Sequence, residues 1–190
     1  MSTNVLVIGK GGREHAIVWK LRQSPRVAEI FCAPGNPNMR EATAVGLTDH
    51  DELAEFAASH EIGMTVVGPE APLCSGIVDV FRARALPIFG PGRNAAQLEG
   101  SKGFAKDFML RHGIPTADFV HCSGETSALE ALSRFEPPVV VKADGLAGGK
   151  GVTVADTAAQ AENAVRECFG GAYGTAGQSV VIEECLTGEE

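Results

Sequence analysis

The sequence lacks the features that mark several large classes of protein. Aromatic residues make up only 6% of the 190 residues, and no segment is long and apolar enough to cross a bilayer. Basic residues are fewer than acidic ones, 16 against 24, which gives a formal net charge of -8. An excess of negative charge repels phosphate backbones and anionic lipids, so neither nucleic acid nor a membrane surface is an expected partner.

Cysteine pairs and a secretory leader are also missing. The five cysteines are scattered, without a C-x-x-C pair or a neighbouring histidine cluster. This spacing argues against a zinc site, and the odd number argues against a secreted disulfide framework. The strand-like run at 4–8 follows Met1 directly, without the basic segment and apolar run of a signal peptide. We therefore expect a soluble cytoplasmic protein with buried, unreactive thiols.

The first half of the sequence alternates short apolar runs with helical patterns. Strands are predicted at 5–8, 29–33, 64–67 and 87–89, and helices at 14–23, 49–60 and 75–85. Short buried strands separated by such helices predict a parallel sheet with helices on both faces. Ligands of these sheets bind where loops leave the carboxyl ends of the strands, here at Gly9, Pro34 and Gly68.

The pattern changes after Gly90-Pro91-Gly92, which is the predicted hinge between two domains. Helices are predicted at 101–112, 127–134 and 158–169, and extended segments at 119–121, 139–142, 152–155 and 180–183. The segments 139–142 and 152–155 are joined by a glycine-rich loop without a helix between them. We therefore expect a hairpin of two strands within an α+β unit.

The first glycine loop, at 9–14, follows a predicted strand and opens a helix. It does not match a dinucleotide fingerprint, because Glu14 occupies the third glycine position and the second strand ends in Ala33-Pro34 without a ribose-binding acid. Free N–H groups at the helix start still favour an anion, and Arg13 adds a cation suited to phosphate. A plain tight turn between strand and helix is the alternative.

The second glycine loop, at 144–151, superficially resembles a phosphate-binding P-loop. It is not one, because Gly151 stands where Ser or Thr should bind magnesium, and a strand follows where a helix should. Each glycine costs roughly 0.5–1 kcal/mol of backbone entropy relative to alanine. Such a loss is expected if the backbone must approach a polyphosphate closely and move as a lid. A simple mobile turn is the alternative.

Together these elements follow the order found in the ATP-grasp ligases: a helix with a lysine, a strand with a lysine, a glycine-rich hairpin, and a strand ending in two acids. Within that superfamily the sequence resembles the phosphoribosylamine–glycine ligases (glycinamide ribonucleotide synthetases) along its whole length. The segments that carry the resemblance are 5–16, 33–36, 67–73, 97–102, 142–152 and 183–190. The sequence departs from the family at Gly148, where alanine is usual, and at Cys185, where an aromatic residue is usual.

The resemblance implies an α/β protein of two domains and a reaction. Residues 1–100 would form a Rossmann-like, pre-ATP-grasp substrate domain, and residues 101–190 would form the first part of an α+β ATP-grasp domain. The family joins glycine to 5-phosphoribosylamine in purine biosynthesis, using ATP with Mg²⁺ or Mn²⁺. The products are glycinamide ribonucleotide, ADP and phosphate, and the intermediate is a glycyl phosphate.

The resemblance also implies roles for individual residues. Lys102 and Lys142 would neutralise the α- and β-phosphates, residues 145–151 would close over the triphosphate, and residues 183–186 would contact adenine through their backbone. Glu190 would accept hydrogen bonds from the ribose, with a solvated chain end as the alternative. The implied ATP-binding set is Lys102, Lys142, Gly145, Gly148, Gly149, Lys150, Gly151, Glu183, Glu184, Leu186 and Glu190.

The phosphosugar is expected against the first domain. The implied contacts are Gly11, Gly12, Arg13, Glu14, His15, Asn36, Pro69 and Glu70. For His15 and Glu70, a helix-capping or core role is an equal alternative. No residue is assigned as an acid–base catalyst, because the reaction depends mainly on positioning, charge neutralisation and exclusion of water.

The metal site is not predicted within these residues. In the family it lies beyond Glu190, with much of the glycine site and a C-terminal domain, so we expect this chain alone to lack the complete reaction. Two other functions stay open: another ATP-grasp ligase or bicarbonate-using carboxylase, and a non-catalytic nucleotide-binding fragment. The loop from Gly11 to His15 argues against the carboxylase. The oligomeric state is not predicted.

Overall fold

The computed structural model describes residues 2–189. The chain divides into two compact units, Met1–Ala96 and Gln97–Glu190. Each unit contains its own sheet, five-stranded in the first and four-stranded in the second. Within the described residues no helix is long and apolar enough to cross a membrane. The predicted α/β class is confirmed.

The first unit is built on a parallel sheet with the strand order β3-β2-β1-β4-β5. Its strands are β1 (Thr3–Gly9), β2 (Val27–Pro34), β3 (Thr43–Ala44), β4 (Ile62–Val67) and β5 (Ile88–Phe89). Strand β1 is central, since Leu6 pairs with Phe31 of β2 on one side and with Thr65 of β4 on the other. The parallel register brings the loops that follow β1, β2 and β4 to one edge of the sheet.

Helices cover both faces of this sheet, as predicted. They are α1 (Gly12–Arg22), α2 (His50–Ser59), α3 (Glu70–Ser75) and α4 (Ile77–Ala83). Helix α5 (Arg93–Gly100) follows them, and the boundary between the two units falls within its residues. Alternate residues of β1 enter two separate cores, because successive side chains of a strand point to opposite faces. Leu6 packs in a cluster with Leu53 and Phe81, whereas Val7 packs in a cluster with Val18.

Helix boundaries in the first unit differ from the prediction at two places. The helix predicted at 75–85 is replaced by α3 and α4, which meet at Gly76; its φ of 98° is the left-handed conformation that ends many helices. Helix α3 starts inside the predicted loop after Gly68, and it tolerates Pro72 because the first turn does not need that N–H. The predicted N-cap of α2 is confirmed, since the Asp49 carboxylate accepts hydrogen bonds from two backbone N–H groups at 2.9 and 3.1 Å.

The second unit contains an antiparallel sheet with the order β6-β9-β7-β8. The strands are β6 (Phe119–Cys122), β7 (Val139–Ala143), β8 (Val152–Ala155) and β9 (Val180–Glu184), and the helices are α6 (Lys102–Arg111), α7 (Glu125–Ala131) and α8 (Ala158–Glu167). The predicted hairpin is confirmed, because β7 pairs with β8 and Lys142 lies opposite Val152.

The two faces of this sheet have different surroundings. Val141 and Ile182 belong to a core cluster with Ala128 of α7 and Val165 of α8. Lys142 and Glu183, each one residue further along its strand, therefore point to the opposite face. On that face helix α6 packs against β9, and the Lys106 side chain of α6 meets the Glu183 carboxylate.

Candidate functional site

A cleft of about 420 Å³ lies at the carboxyl ends of the parallel strands in the first unit. Its lining includes Gly9, Gly11 and Glu14 from the first glycine loop, Pro34 after β2 and Pro69 after β4. The cleft is therefore at the edge of the sheet where the sequence predicts a ligand. Most of its lining is apolar, as is usual for small-molecule sites.

Glu14 is the structural centre of the first glycine loop. It is 3% exposed, and its carboxylate accepts a hydrogen bond from the Gly11 N–H at 2.7 Å. A Cβ added at Gly9 or at Gly68 would collide with the Glu14 side chain. The residue that breaks the dinucleotide fingerprint therefore fills the space between two loops, and it occupies one of the N–H groups that an anion could use.

Arg13 lies between two carboxylates. Its Nε is 3.0 Å from Oε1 of Glu14, and its terminal nitrogen is 3.4 Å from Oε2 of Glu70. The hydrogen bond with Glu14, followed by the charges of both carboxylates, raises the pKa of the Arg13 guanidinium above its ordinary value. The side chain is 59% exposed, so the guanidinium can still approach a ligand on its open side.

The other predicted phosphosugar contacts fall into two groups. Gly11, Glu14 and Pro69 line the cleft; Gly12, Arg13, His15, Asn36 and Glu70 do not contribute to its lining. Asn36 has both ends of its amide engaged locally, donating to the Lys10 carbonyl at 2.7 Å and accepting from the Asn38 N–H at 2.8 Å. His15 Nε2 lies 3.9 Å from a carboxylate oxygen of Glu41.

In the second unit, one buried carboxylate binds two lysines. Oε2 of Glu183 is 2.9 Å from Nζ of Lys142 and 2.9 Å from Nζ of Lys106. Glu183 is 4% exposed, and its other oxygen, Oε1, has no hydrogen-bond partner within residues 2–189. Glu183 thus acts here through its side chain, in addition to the backbone role predicted for residues 183–186.

Lys102, the first residue of α6, lies beside the start of the second glycine loop. Its Nζ donates to the Gly145 carbonyl at 3.1 Å, and its backbone N–H donates to the Asp144 carbonyl at 3.2 Å. The Asp144 carboxylate, 7% exposed, accepts from the Gly103 N–H at 2.7 Å and from the hydroxyl of Ser179 at 3.1 Å. Asp144 therefore connects the beginning of α6 to the end of β7.

The second glycine loop is packed at its ends and open at its tip. A Cβ at Gly145 would be 2.9 Å from the Cα of Ala176, and one at Gly151 would be 3.0 Å from the Cβ of Ala143. At Gly148 and Gly149 an added Cβ would meet nothing within 4 Å, and φ is 59° and 78°. Lys150 is exposed. The tip has the backbone freedom and space that a lid over phosphates requires.

The last predicted ATP-binding residues follow or end β9. Glu184 is engaged by Asp118, whose N–H donates to the Glu184 carboxylate at 2.8 Å and whose carbonyl accepts from the Glu184 N–H at 3.0 Å. Leu186 is 67% exposed. Glu190 lies outside the described residues.

Two residues of this site are missed by reasoning from the sequence. Lys106 is buried under β9, and the Asp144 carboxylate anchors the loop that it precedes. A signal for Lys106 exists, because it lies four residues after Lys102 and hence on the same side of α6. Nothing in the sequence indicates that β9 lies over that position. Within residues 2–189 no group of three or more His, Cys, Asp or Glu side chains could hold a metal ion.

Comparison with known proteins decides the family. Residues 3–99 match the family model "Phosphoribosylglycinamide synthetase, N domain", and residues 100–190 match "Phosphoribosylglycinamide synthetase, ATP-grasp (A) domain". The chain belongs to the phosphoribosylglycinamide synthetase family. The resemblance stated from the sequence is thereby confirmed for nearly every residue of the chain.

Individual relatives agree with this family. The chain is 54% identical to the phosphoribosylamine–glycine ligase of Pasteurella multocida, over 98% of this chain and 45% of that protein. The crystal structure of the phosphoribosylamine–glycine ligase of Thermotoga maritima matches with a TM-score of 0.79 at 32% identity, over 98% of this chain and 44% of that one. The chain thus spans a little under half the length of these synthetases.

A more distant structure shares only the fold. The biotin carboxylase domain of the 2-oxoglutarate carboxylase of Hydrogenobacter thermophilus, in complex with MgADP and bicarbonate, matches with a TM-score of 0.74 at 18% identity. The match covers 98% of this chain and 45% of that domain. The fold therefore occurs outside the synthetase family.

Proposed function

We propose that this chain supplies the phosphosugar-binding and ATP-binding surfaces of a phosphoribosylamine–glycine ligase. A carboxylate oxygen of glycine attacks the γ-phosphorus of ATP, the bond to the β-phosphate oxygen breaks, and ADP leaves. The amine of 5-phosphoribosylamine then attacks the carbonyl carbon of glycyl phosphate. Phosphate departs, a proton is lost, and glycinamide ribonucleotide results.

The observation that carries this proposal is the position of the two lysines beside the glycine hairpin. Lys102 Nζ contacts the first carbonyl of the hairpin, and Lys142 lies at the end of the strand that enters it. Two cations beside a backbone with free N–H groups would stabilise the charge of a polyphosphate, which is most of what phosphoryl transfer needs from a protein. The 54% identity to the phosphoribosylamine–glycine ligase of Pasteurella multocida supports that reaction as the one served by the site.

Within the ATP site we propose the roles that the family resemblance implies. Lys102 and Lys142 bind the α- and β-phosphates, and the hairpin tip at Gly148, Gly149 and Lys150 closes over the triphosphate, with Gly145 and Gly151 as its fixed ends. The segment from Glu183 to Leu186 contacts adenine, and Glu190 binds the ribose. Closing the tip would exclude water from the glycyl phosphate, which hydrolysis would otherwise destroy.

The cleft of the first unit is proposed to bind 5-phosphoribosylamine. Gly11, Glu14 and Pro69 already line it, and Arg13 lies in the same loop with an open side for the phosphate. The proposed contacts at Gly12, His15, Asn36 and Glu70 require the sugar to extend beyond the cleft. Glycine and 5-phosphoribosylamine are the proposed partners, the cytoplasm is the proposed compartment, and neither nucleic acid nor a membrane is expected to bind.

ATP is proposed to enter with Mg²⁺, or with Mn²⁺ as the alternative. The MgADP complex of the biotin carboxylase domain supports magnesium for this fold. The described residues do not fit a metal site, since 2–189 contain no cluster of three metal-binding side chains. No residue of this chain is therefore assigned to the ion, and its charge would add to that of the two lysines.

The test is ADP release by this chain with Mg²⁺, ATP and glycine, with freshly made phosphoribosylamine added last. Release that requires both glycine and the amine would establish the ligase. We expect ATP to bind without turnover, because the chain spans a little under half the length of the synthetases that it matches. Release of ADP that is independent of glycine would contradict the ligase assignment, and ATP binding alone with any longer form of the protein would favour a non-catalytic nucleotide-binding module.

A further inference from the structure

We propose that Lys106 is a positioning residue for ATP: it holds the Glu183 carboxylate so that Lys142 can leave that carboxylate for a phosphate. The inference rests on the proposed ATP site and adds to it a residue that does not itself touch the nucleotide. The ammonium groups of Lys106 and Lys142 share one carboxylate oxygen, Oε2 of Glu183, and each lies 2.9 Å from it.

The two lysines differ in how firmly they are held. Lys106 also donates to the Ala117 carbonyl at 3.2 Å, and its ammonium lies 5.4 Å from the centre of the Phe119 ring. Its side chain is 10% exposed, whereas that of Lys142 is 27% exposed, and within residues 2–189 the Lys142 ammonium has Glu183 as its single partner. Lys106 is thus fixed in place, and Lys142 has both solvent access and freedom to move.

The charges of the three groups explain why the second lysine is needed. A buried carboxylate that loses its only cation becomes an uncompensated charge, which is strongly unfavourable. If Lys142 were the sole partner of Glu183, its ammonium would be retained there and its charge would be cancelled. With Lys106 in place, the group carries one net positive charge, and Lys142 can turn to a phosphate while Glu183 keeps a counterion.

The geometry of Glu183 gives the same result. Its Oε1 has no partner within residues 2–189, so among those residues the carboxylate is held by its contacts with the lysines at Oε2. Without Lys106, the Lys142 ammonium would therefore be the one remaining counterion of Glu183 among these residues, and it would be held at the carboxylate. The expected consequence is weaker binding of phosphate groups, with little change in the binding of adenosine.

The experiment compares Lys106→Met with the unaltered 190-residue chain by isothermal titration calorimetry, using MgATP and adenosine as separate ligands. We expect Lys106→Met to weaken MgATP binding by about tenfold or more and adenosine binding by no more than about twofold. Lys106→Arg, which keeps the charge, should stay within about threefold of the unaltered chain. Lys20→Met, at an exposed lysine of α1, is the matched control and should change neither affinity.

A second substitution distinguishes positioning from a structural role. In the double variant Lys106→Met with Glu183→Gln, no carboxylate remains to retain Lys142, so MgATP affinity should recover most of the loss. If Lys106→Met does not fold, Lys106→Gln replaces it, because glutamine keeps a hydrogen-bond donor for the Ala117 carbonyl. We expect Lys106→Gln to weaken MgATP binding by about tenfold or more as well. Circular dichroism spectra confirm that each variant is folded before titration.

Four results would overturn the inference. MgATP affinity unchanged by Lys106→Met would remove the positioning role alone and leave the ATP site intact. Equal losses for MgATP and adenosine would show that Lys106 only supports the fold. A double variant no better than the single one would show that Glu183 does not retain Lys142. Absence of MgATP binding by the unaltered chain would overturn the proposed ATP site, and this inference with it.

Discussion

The two glycine loops have similar composition, but their glycines have different roles. In the loop of the first unit, Gly9 is needed because the buried Glu14 side chain occupies the space where a Cβ would lie, and the neighbouring Gly68 is needed for the same reason. In the hairpin of the second unit, Gly148 and Gly149 face open space and have positive φ values. Close packing requires glycine at Gly9, whose φ is also positive at 129°, and at Gly68, whereas at the tip of the hairpin glycine serves backbone conformation alone.

This difference assigns different kinds of function to the two loops. A loop filled by a pinned carboxylate is rigid, so it can present a fixed cleft to a substrate without loss of entropy on binding. A loop with an unpacked tip can change its conformation at low cost, and it can close over a ligand. Substitutions in and under the two loops can test whether the first is as rigid, and the tip of the second as mobile, as their surroundings indicate.

The largest expected effect follows from filling the space beside Glu14. Gly68→Ala places a Cβ against the Glu14 side chain, which is held by hydrogen bonds to Gly11 and Arg13 and has little room to shift. We expect a loss of about 2 kcal/mol in the free energy of unfolding, which is typical of overpacking a filled site. Urea denaturation followed by circular dichroism measures it.

The control for this prediction is Gly12→Ala, in the same loop region, where an added Cβ meets nothing within 4 Å. It should change stability by no more than about 0.5 kcal/mol. In a Glu14→Ala background the Gly68→Ala substitution should become nearly neutral, because the colliding side chain is gone. An undiminished cost in that background would contradict the assignment of Glu14 as the group that fills the loop.

The extent to which the sequence predicts these loops differs between them. The hairpin can be predicted, because its flanking strands appear in the sequence as apolar runs and the glycines at its tip, Gly148 and Gly149, have no role in packing. The filled loop can be predicted only as a turn before a helix. That Glu14 is buried against Gly68 depends on strand β4 lying beside β1, which is a long-range pairing that local patterns do not contain.

Local sequence patterns also fail to predict some of the helices and the contact between Glu183 and Lys106. Strands and long helices follow from periodicity. Helix α3 does not, because Pro69 before it and Pro72 within it are typical of a loop, and α5 does not, because its first turn is polar. Lys142 could be proposed from its position on the strand that enters the glycine loop, and Lys102 from the family resemblance. Lys106 could not, because its partner Glu183 is 77 positions later in the chain and meets it only when β9 packs on α6.

A smaller effect is expected at Cys32, which lies under the first loop. Its Sγ donates to the Gly9 carbonyl at 3.4 Å, and burial, with a smaller contribution from Glu14, raises its pKa to about 11. The folded state therefore holds the thiol proton more tightly than the unfolded state, whose pKa is near 9.0. The contribution is complete below that unfolded pKa, and it is lost as pH rises toward the folded one.

The measurement is the difference in unfolding free energy between pH 8 and pH 10. We expect the unaltered chain to lose about 1 kcal/mol more over this interval than Cys32→Ala, which has no thiol to ionise. Comparing the pH dependence, and not the absolute stability, removes the cavity that alanine creates. Equal pH dependence in the two proteins would mean that the base of the first loop is open to solvent, and the contrast between the loops would weaken.

The smallest effect on stability is expected at the hairpin tip. Gly149→Ala places a side chain at a φ of 78°, where an ordered L-residue costs roughly 1–2 kcal/mol. Because nothing packs against this position, the tip can relax into another conformation, and we expect a loss of less than about 0.5 kcal/mol. Gly151→Ala, whose Cβ would press against Ala143, is the matched comparison and should cost more.

If Gly149→Ala destabilises the chain as much as Gly151→Ala, the tip is held as firmly as its base and does not act as a lid. If it leaves stability intact but weakens MgATP binding, the freedom of the tip is used to approach the phosphates.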